Sequence, residues 1–130
     1  MNPITKAWLE SAEIDLGCIE QIINEAHLTP AVAFHSQQAI EKSFKAILES
    51  YRYKIARTHN LIKLYDAVCE CISFEVEPLM LTAINDVYID SRYPGDLGLL
   101  PDGKPSLADA RQFYEFANDI FIRVNQALKS

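Results

Sequence analysis

Residues 34–48, FHSQQAIEKSFKAIL, decide how this chain is read. The stretch has the composition of a strong helix former. At about 100° per residue, His35, Gln38, Lys42, Lys45 and Glu49 fall within roughly 80° of one another. Phe34, Ile40, Phe44, Ile47, Leu48 and Tyr51 make a wide apolar face, with Gln37 near its middle and Glu41 at its edge. Ser36, Ala39, Ser43, Ala46 and Ser50 make a face of small side chains that another helix can approach closely. A helix with two packing faces and one polar stripe is central to its bundle or lies at a subunit interface. Buried Gln37 and Glu41 need partners, because an unpaired buried polar group costs about 1–3 kcal/mol. Phe44→Ala is expected to cost about 3–5 kcal/mol. Lys45, on a stripe taken as solvated, is expected to tolerate alanine.

Four more amphipathic helices extend outward from this one. The first covers roughly 5–26, with Trp8, Ala12, Leu16, Ile19, Ile22, Ile23 and Ala26 on one face, which Asp15 interrupts. The central helix starts at Thr29-Pro30, a cap followed by proline in the first turn, and runs to about Tyr51. A third begins near Thr58, with Leu61, Leu64, Tyr65, Val68 and Ile72 on one side. The fourth spans about 77–91, with Met80, Ile84, Val87 and Tyr88 inward. The fifth opens at Ser106, where Asp109 three residues on suggests a capping box. Its expected inward set is Leu107, Ala110, Tyr114, Ala117, Phe121, Val124 and Leu128. No segment alternates with period two, and residues 93–105 form the one long irregular connection. The predicted architecture is all-α: an up-down bundle of about five helices in a single domain, 1–130.

Composition narrows the function classes. The chain has 130 residues, is 49% hydrophobic and carries a formal net charge of −6. That length suits one domain with a substantial core. Its overall field does not attract nucleic acid, so such a contact needs a local basic patch. No apolar run approaches the roughly 18 residues of a membrane span, and the N-terminal residues do not follow a secretory plan. Cys18, Cys69 and Cys71 are odd in number and form no CxxC pair, which argues against disulfides and zinc. A cytoplasmic protein with no metal and no cofactor is expected. Glu-x-x-His pairs for a di-iron centre are missing, as is a P-loop.

Four segments, AWLESAEIDL at 7–16, PAVAFHSQQAIEKSFKAIL at 30–48, RTHNLIKLYDAV at 57–68 and IDSRYPG at 89–95, carry a resemblance. In this order they resemble the HEPN family (higher eukaryotes and prokaryotes nucleotide-binding), particularly prokaryotic members encoded beside minimal nucleotidyltransferases. The resemblance implies a helical bundle paired as a homodimer and associated with such a nucleotidyltransferase, often as a toxin–antitoxin pair. Many HEPN proteins are metal-independent ribonucleases whose signature is an arginine followed, after four to six residues, by a histidine. Histidine can act as base and acid in RNA cleavage, and arginine can stabilise the phosphorane.

Here the signature is incomplete. Arg92 holds the late-helix position, but no histidine follows it; the three are His27, His35 and His59. Arg52 and His59 have a related spacing, but across the gap between the second and third helices. The first expectation is therefore a module that dimerises and binds a minimal nucleotidyltransferase, with weak or no nuclease activity. His35, Gln38, Lys42, Lys45, Arg92 and Tyr93 are its candidate nucleotide- or partner-binding residues. By the resemblance, Tyr93 is the candidate for AMP attachment by the partner. Two other readings stay open. One is a ribonuclease toxin with a composite site of Arg92 and His35 or His59. The other is a nucleotide-binding adaptor in which Lys42, Lys45 and Arg92 hold phosphate.

Overall fold

The computed structural model describes residues 1–54, 57–92 and 104–129, with the backbone alone for 89–92. Five helices follow in order: α1 (Pro3–Ile22), α2 (Thr29–Ser50), α3 (Leu61–Cys71), α4 (Pro78–Arg92) and α5 (Leu107–Lys129). A short 3-10 turn, Ala26–Leu28, precedes α2. Among the described residues there is no strand. None of the described helices is long and apolar enough to cross a membrane.

Local chemistry sets the helix starts. Asn2 accepts a hydrogen bond from the Thr5 amide at 2.8 Å, ahead of Pro3 in the first turn of α1. Asn60 accepts from the amides of Ile62 and Lys63, so α3 begins at Leu61 rather than near Thr58. Buried Asn85 of α4 accepts from the Leu61 amide at 3.0 Å and ties α3 to α4. Glu77 takes the Met80 amide at the start of α4. The capping box at α5 is complete: Ser106 Oγ accepts from the Asp109 amide, and Asp109 accepts from the Ser106 amide.

α2 is the central element and packs against all four other helices, most extensively α1 and α5. Val32, Ala33, Ala39, Ile40, Phe44, Ala46, Ile47 and Leu48 are all fully buried on it. The small face is thus consumed inside the chain, Ser36, Ala39, Ser43 and Ala46 all being inaccessible. Phe34 and Tyr51, read as core, are exposed at 37% and 52%.

Two further expectations are corrected. α1 stops at Ile22, four residues early, where the Ile22 carbonyl accepts from the Glu25 amide and the chain turns. α5 is rotated from its expected face. Phe113 and Ile120 are buried, Tyr114, Phe121 and Leu128 are half-buried, and Leu107 is 38% exposed. Tyr114 instead reaches Glu20 of α1 with its hydroxyl, at 2.6 Å. On α4, Leu81 is buried and Met80 half-buried. The expected irregular connection falls almost wholly on 93–103, outside the described residues.

Candidate functional site

Two buried carboxylates organise the polar stripe of α2. Asp15, the interruption in the α1 face, is 5% exposed. Its Oδ1 lies 2.8 Å from His35 Nδ1, and its Oδ2 accepts from Lys42 Nζ at 2.7 Å. Glu41, 3% exposed, does the same one level along the helix. Its Oε2 accepts from Lys45 Nζ at 2.9 Å, and its Oε1 is 2.9 Å from His59 Nδ1. Gln37 donates to Glu41 Oε1 and to the His59 carbonyl, and Gln38 donates to Gln37. Gln37 and Glu41 therefore have the partners their burial demands.

This corrects the view of the stripe as solvated. Lys42 and Lys45 keep only 20% and 13% of their side chains exposed. Lys45 also sits 5.3 Å from the centroid of the Trp8 ring. Removing Lys45 would take the ammonium from buried Glu41 and leave it only Gln37 and His59, so Lys45→Ala is no longer expected to be neutral. Two lysines face two carboxylates, leaving no surplus positive charge on the stripe when the imidazoles are neutral.

An ionised carboxylate only accepts, so His35 and His59 carry their proton on Nδ1. In the neutral ring the opposite nitrogen, Nε2, then holds a lone pair. His35 is 27% exposed and His59 57%. Neither Nε2 has a partner among the described residues. The two rings are linked by aromatic neighbours. His35 meets Phe34 edge-on at 5.2 Å, Phe34 stacks on Tyr88 at 5.8 Å, and Tyr88 lies 6.1 Å from His59. Four rings thus form a continuous row, with a carboxylate-held imidazole at each end.

The remaining candidates are placed as follows. Arg92 is the last residue of α4, four residues beyond Tyr88, and its side chain lies outside the described residues. So does Tyr93. His27 is exposed in the 3-10 turn. Arg52 ends α2 with φ 55°, while the Tyr53 amide bonds the Leu48 carbonyl and the Arg52 amide the Glu49 carbonyl. That is a Schellman cap with arginine where glycine is usual. Sequence reasoning missed the part played by Phe34 and Tyr88, because both fit an apolar face. It missed the role of Asp15 although its signal was visible: a lone acid among apolar positions. Among the described residues no cluster of three metal-ligating side chains occurs.

A HEPN domain profile matches residues 5–124. Two solved structures share the fold. TT1696 from Thermus thermophilus superposes with a TM-score of 0.79 at 23% identity, covering 97% of this chain and 98% of its own. ST0689, described as an archaeal HEPN homologue, gives 0.71 at 22% identity, covering 98% of each chain. No curated protein matches the chain. The chain belongs to the HEPN family.

Proposed function

We propose that this HEPN domain is a pairing module: it dimerises, binds a minimal nucleotidyltransferase encoded nearby in a toxin–antitoxin-type system, and has little ribonuclease activity alone. The observation that carries this reading is the engagement of Lys42 by Asp15 and of Lys45 by Glu41. The stripe works as an internal seam that fixes α1, α2 and the start of α3. It does not offer two free ammonium groups to a phosphate, which weighs against the nucleotide-adaptor reading. The surface left beside the seam is the ring row, which runs from His35 to His59 through Tyr88 of α4, and a partner can dock there.

A second copy needs another face than the small one of α2. α1 provides it. Ile4, Ala7, Ser11, Ile14 and Cys18 fall on one stripe, and Ile4 and Ile14 are 57% and 68% exposed. The test of pairing is co-expression with the neighbouring gene product, followed by pull-down and a growth assay. Co-purification with relief of any growth defect supports the module. A chain that never co-purifies and has no effect on growth contradicts it.

The ribonuclease reading keeps one observation in its favour: His35 and His59 are each held at Nδ1 with Nε2 unengaged. Its assay is incubation with single-stranded RNA and tRNA in EDTA. Cleavage lost in both Arg92→Ala and His59→Ala, or in both Arg92→Ala and His35→Ala, would establish it over the first reading.

A further inference from the structure

The charge of this chain is unevenly placed. Residues 50–65 hold Arg52, Lys54, Arg57 and Lys63, four of the 12 lysines and arginines, and none of the 18 acidic residues. All four are exposed, at the corner where α2 ends and α3 begins. No carboxylate among the described residues lies within ion-pair distance of any of them, in contrast to Lys42 and Lys45. The exposed face of α1 is the reverse, with Glu10, Glu13 and Glu20 against Lys6 alone. Tyr51 and Tyr53 lie exposed on either side of Arg52, at 52% and 36%. The Tyr53 hydroxyl is already held by Glu70, so that residue offers its ring. Arg52 stands at φ 55°, a conformation that glycine adopts more easily, so its charge is present against the preference of the backbone. The corner then leads into His59, one end of the ring row.

We propose that this corner docks an acidic segment of a protein partner, whose carboxylates pair with Arg52, Lys54 and Arg57 while its apolar side chains cover Tyr51 and Tyr53. The inference rests on the pairing reading and deepens it by naming the chemistry through which the partner attaches. Charge complementarity is the first argument. These cations can take a new carboxylate without breaking an existing pair, which the seam lysines cannot. The planar guanidinium of Arg52 or Arg57 receives a carboxylate through two parallel N–H groups. Composition is the second argument, since tyrosine and arginine are the residues that most often carry the energy of a protein interface. The flanks decide between a protein and a nucleic acid strand. Glu49, Asp66 and Glu70 border the basic run in the sequence, on a chain of formal net charge −6. A protein segment can set its carboxylates over the corner and neutral residues over those flanks. A phosphate strand carries charge at every residue and meets the flanking acids as well.

The test uses the isolated chain, so its failure leaves the pairing reading standing, and a failed co-purification leaves this result unaffected. Fluorescence anisotropy is measured with a labelled peptide of about 12 residues, glutamate and aspartate interrupted by two leucines. Binding is expected with a Kd below about 100 µM at about 50 mM salt, weakening several-fold by about 300 mM. The triple variant Arg52→Gly, Lys54→Ala, Arg57→Ala changes exposed side chains only and relieves the backbone at Arg52. It is expected to weaken the peptide at least about tenfold, from three pairs each worth a few-fold. Arg52→Gly alone should lose about threefold in affinity while its unfolding midpoint does not fall, which separates docking from folding. Lys6→Ala with Lys129→Ala removes exposed cations elsewhere and should leave binding unchanged. A single-stranded RNA of the same length should bind at least about threefold more weakly than the peptide at equal salt. No binding of the peptide, unchanged binding by the triple variant, an equal loss in the Lys6 and Lys129 variant, or tighter binding of the RNA would each overturn the proposal.

Discussion

Asp15 is the residue on which the site depends most. It is buried, and it alone answers both His35 and Lys42. Asp15→Ala would leave a lysine largely enclosed without its counter-charge, and a loss of about 3 kcal/mol is expected. Urea unfolding followed by circular dichroism measures that loss, and a shift of a few tenths would mean that Lys42 escapes to solvent. Arg52 makes the opposite case. Its left-handed backbone costs a non-glycine residue on the order of 1 kcal/mol, and its cap hydrogen bonds are made by backbone alone. Arg52→Gly should therefore raise the unfolding midpoint. Asp15 and Glu41 could be read as anomalies in the sequence, since each is an acid on an apolar face. Which histidine and lysine each would meet could not, because those partners come from separate elements.

At the scale of elements, α2 carries the core. Phe44 is fully buried, and its ring meets Tyr65 at 6.0 Å and Phe74 edge-on at 6.2 Å. Phe44→Ala should cost about 3–5 kcal/mol, readable as a lowered thermal midpoint. Ser36 Oγ is buried with no partner among the described residues, so Ser36→Ala should be neutral or stabilising in the same assay. The α1–α5 contact has a pH signature. Burial, with help from the Glu20 hydrogen bond, pushes the Tyr114 hydroxyl up to about 12 from an ordinary value of 10. The folded state holds this proton more tightly than the unfolded one. The resulting stability is complete below about pH 10 and is lost as pH rises towards 12. Tyr114→Phe should remove that step from an alkaline unfolding curve. The existence and order of all five helices, and the Ser106 capping box, were legible from periodicity and caps. The rotation of α5 was not. Apolar residues surround more than half of it, and only tertiary partners such as Glu20 select the buried edge. The early end of α1 carried no stop signal, since apolar spacing continues through Ile23 and Ala26.

For the whole molecule, one seam joins three parts of a bundle: α1, α2 and the residues that lead into α3. The small residues of α2, which in the sequence suggest a second copy, are closed off within the chain. If α1 supplies the dimer face, Ile14→Glu should turn a dimer into a 14.7 kDa monomer by light scattering without lowering the helix content. A wild-type chain that is monomeric at micromolar concentration would remove the homodimer. The central claim is that buried Asp15 and Glu41 organise the stripe and fix two imidazoles. It is tested most directly by the ¹⁵N resonances of the three histidine rings at a pH where they are neutral. The prediction is the Nδ1–H tautomer for His35 and His59, and the ordinary Nε2–H tautomer for exposed His27. Nε2–H rings at both His35 and His59 would contradict it.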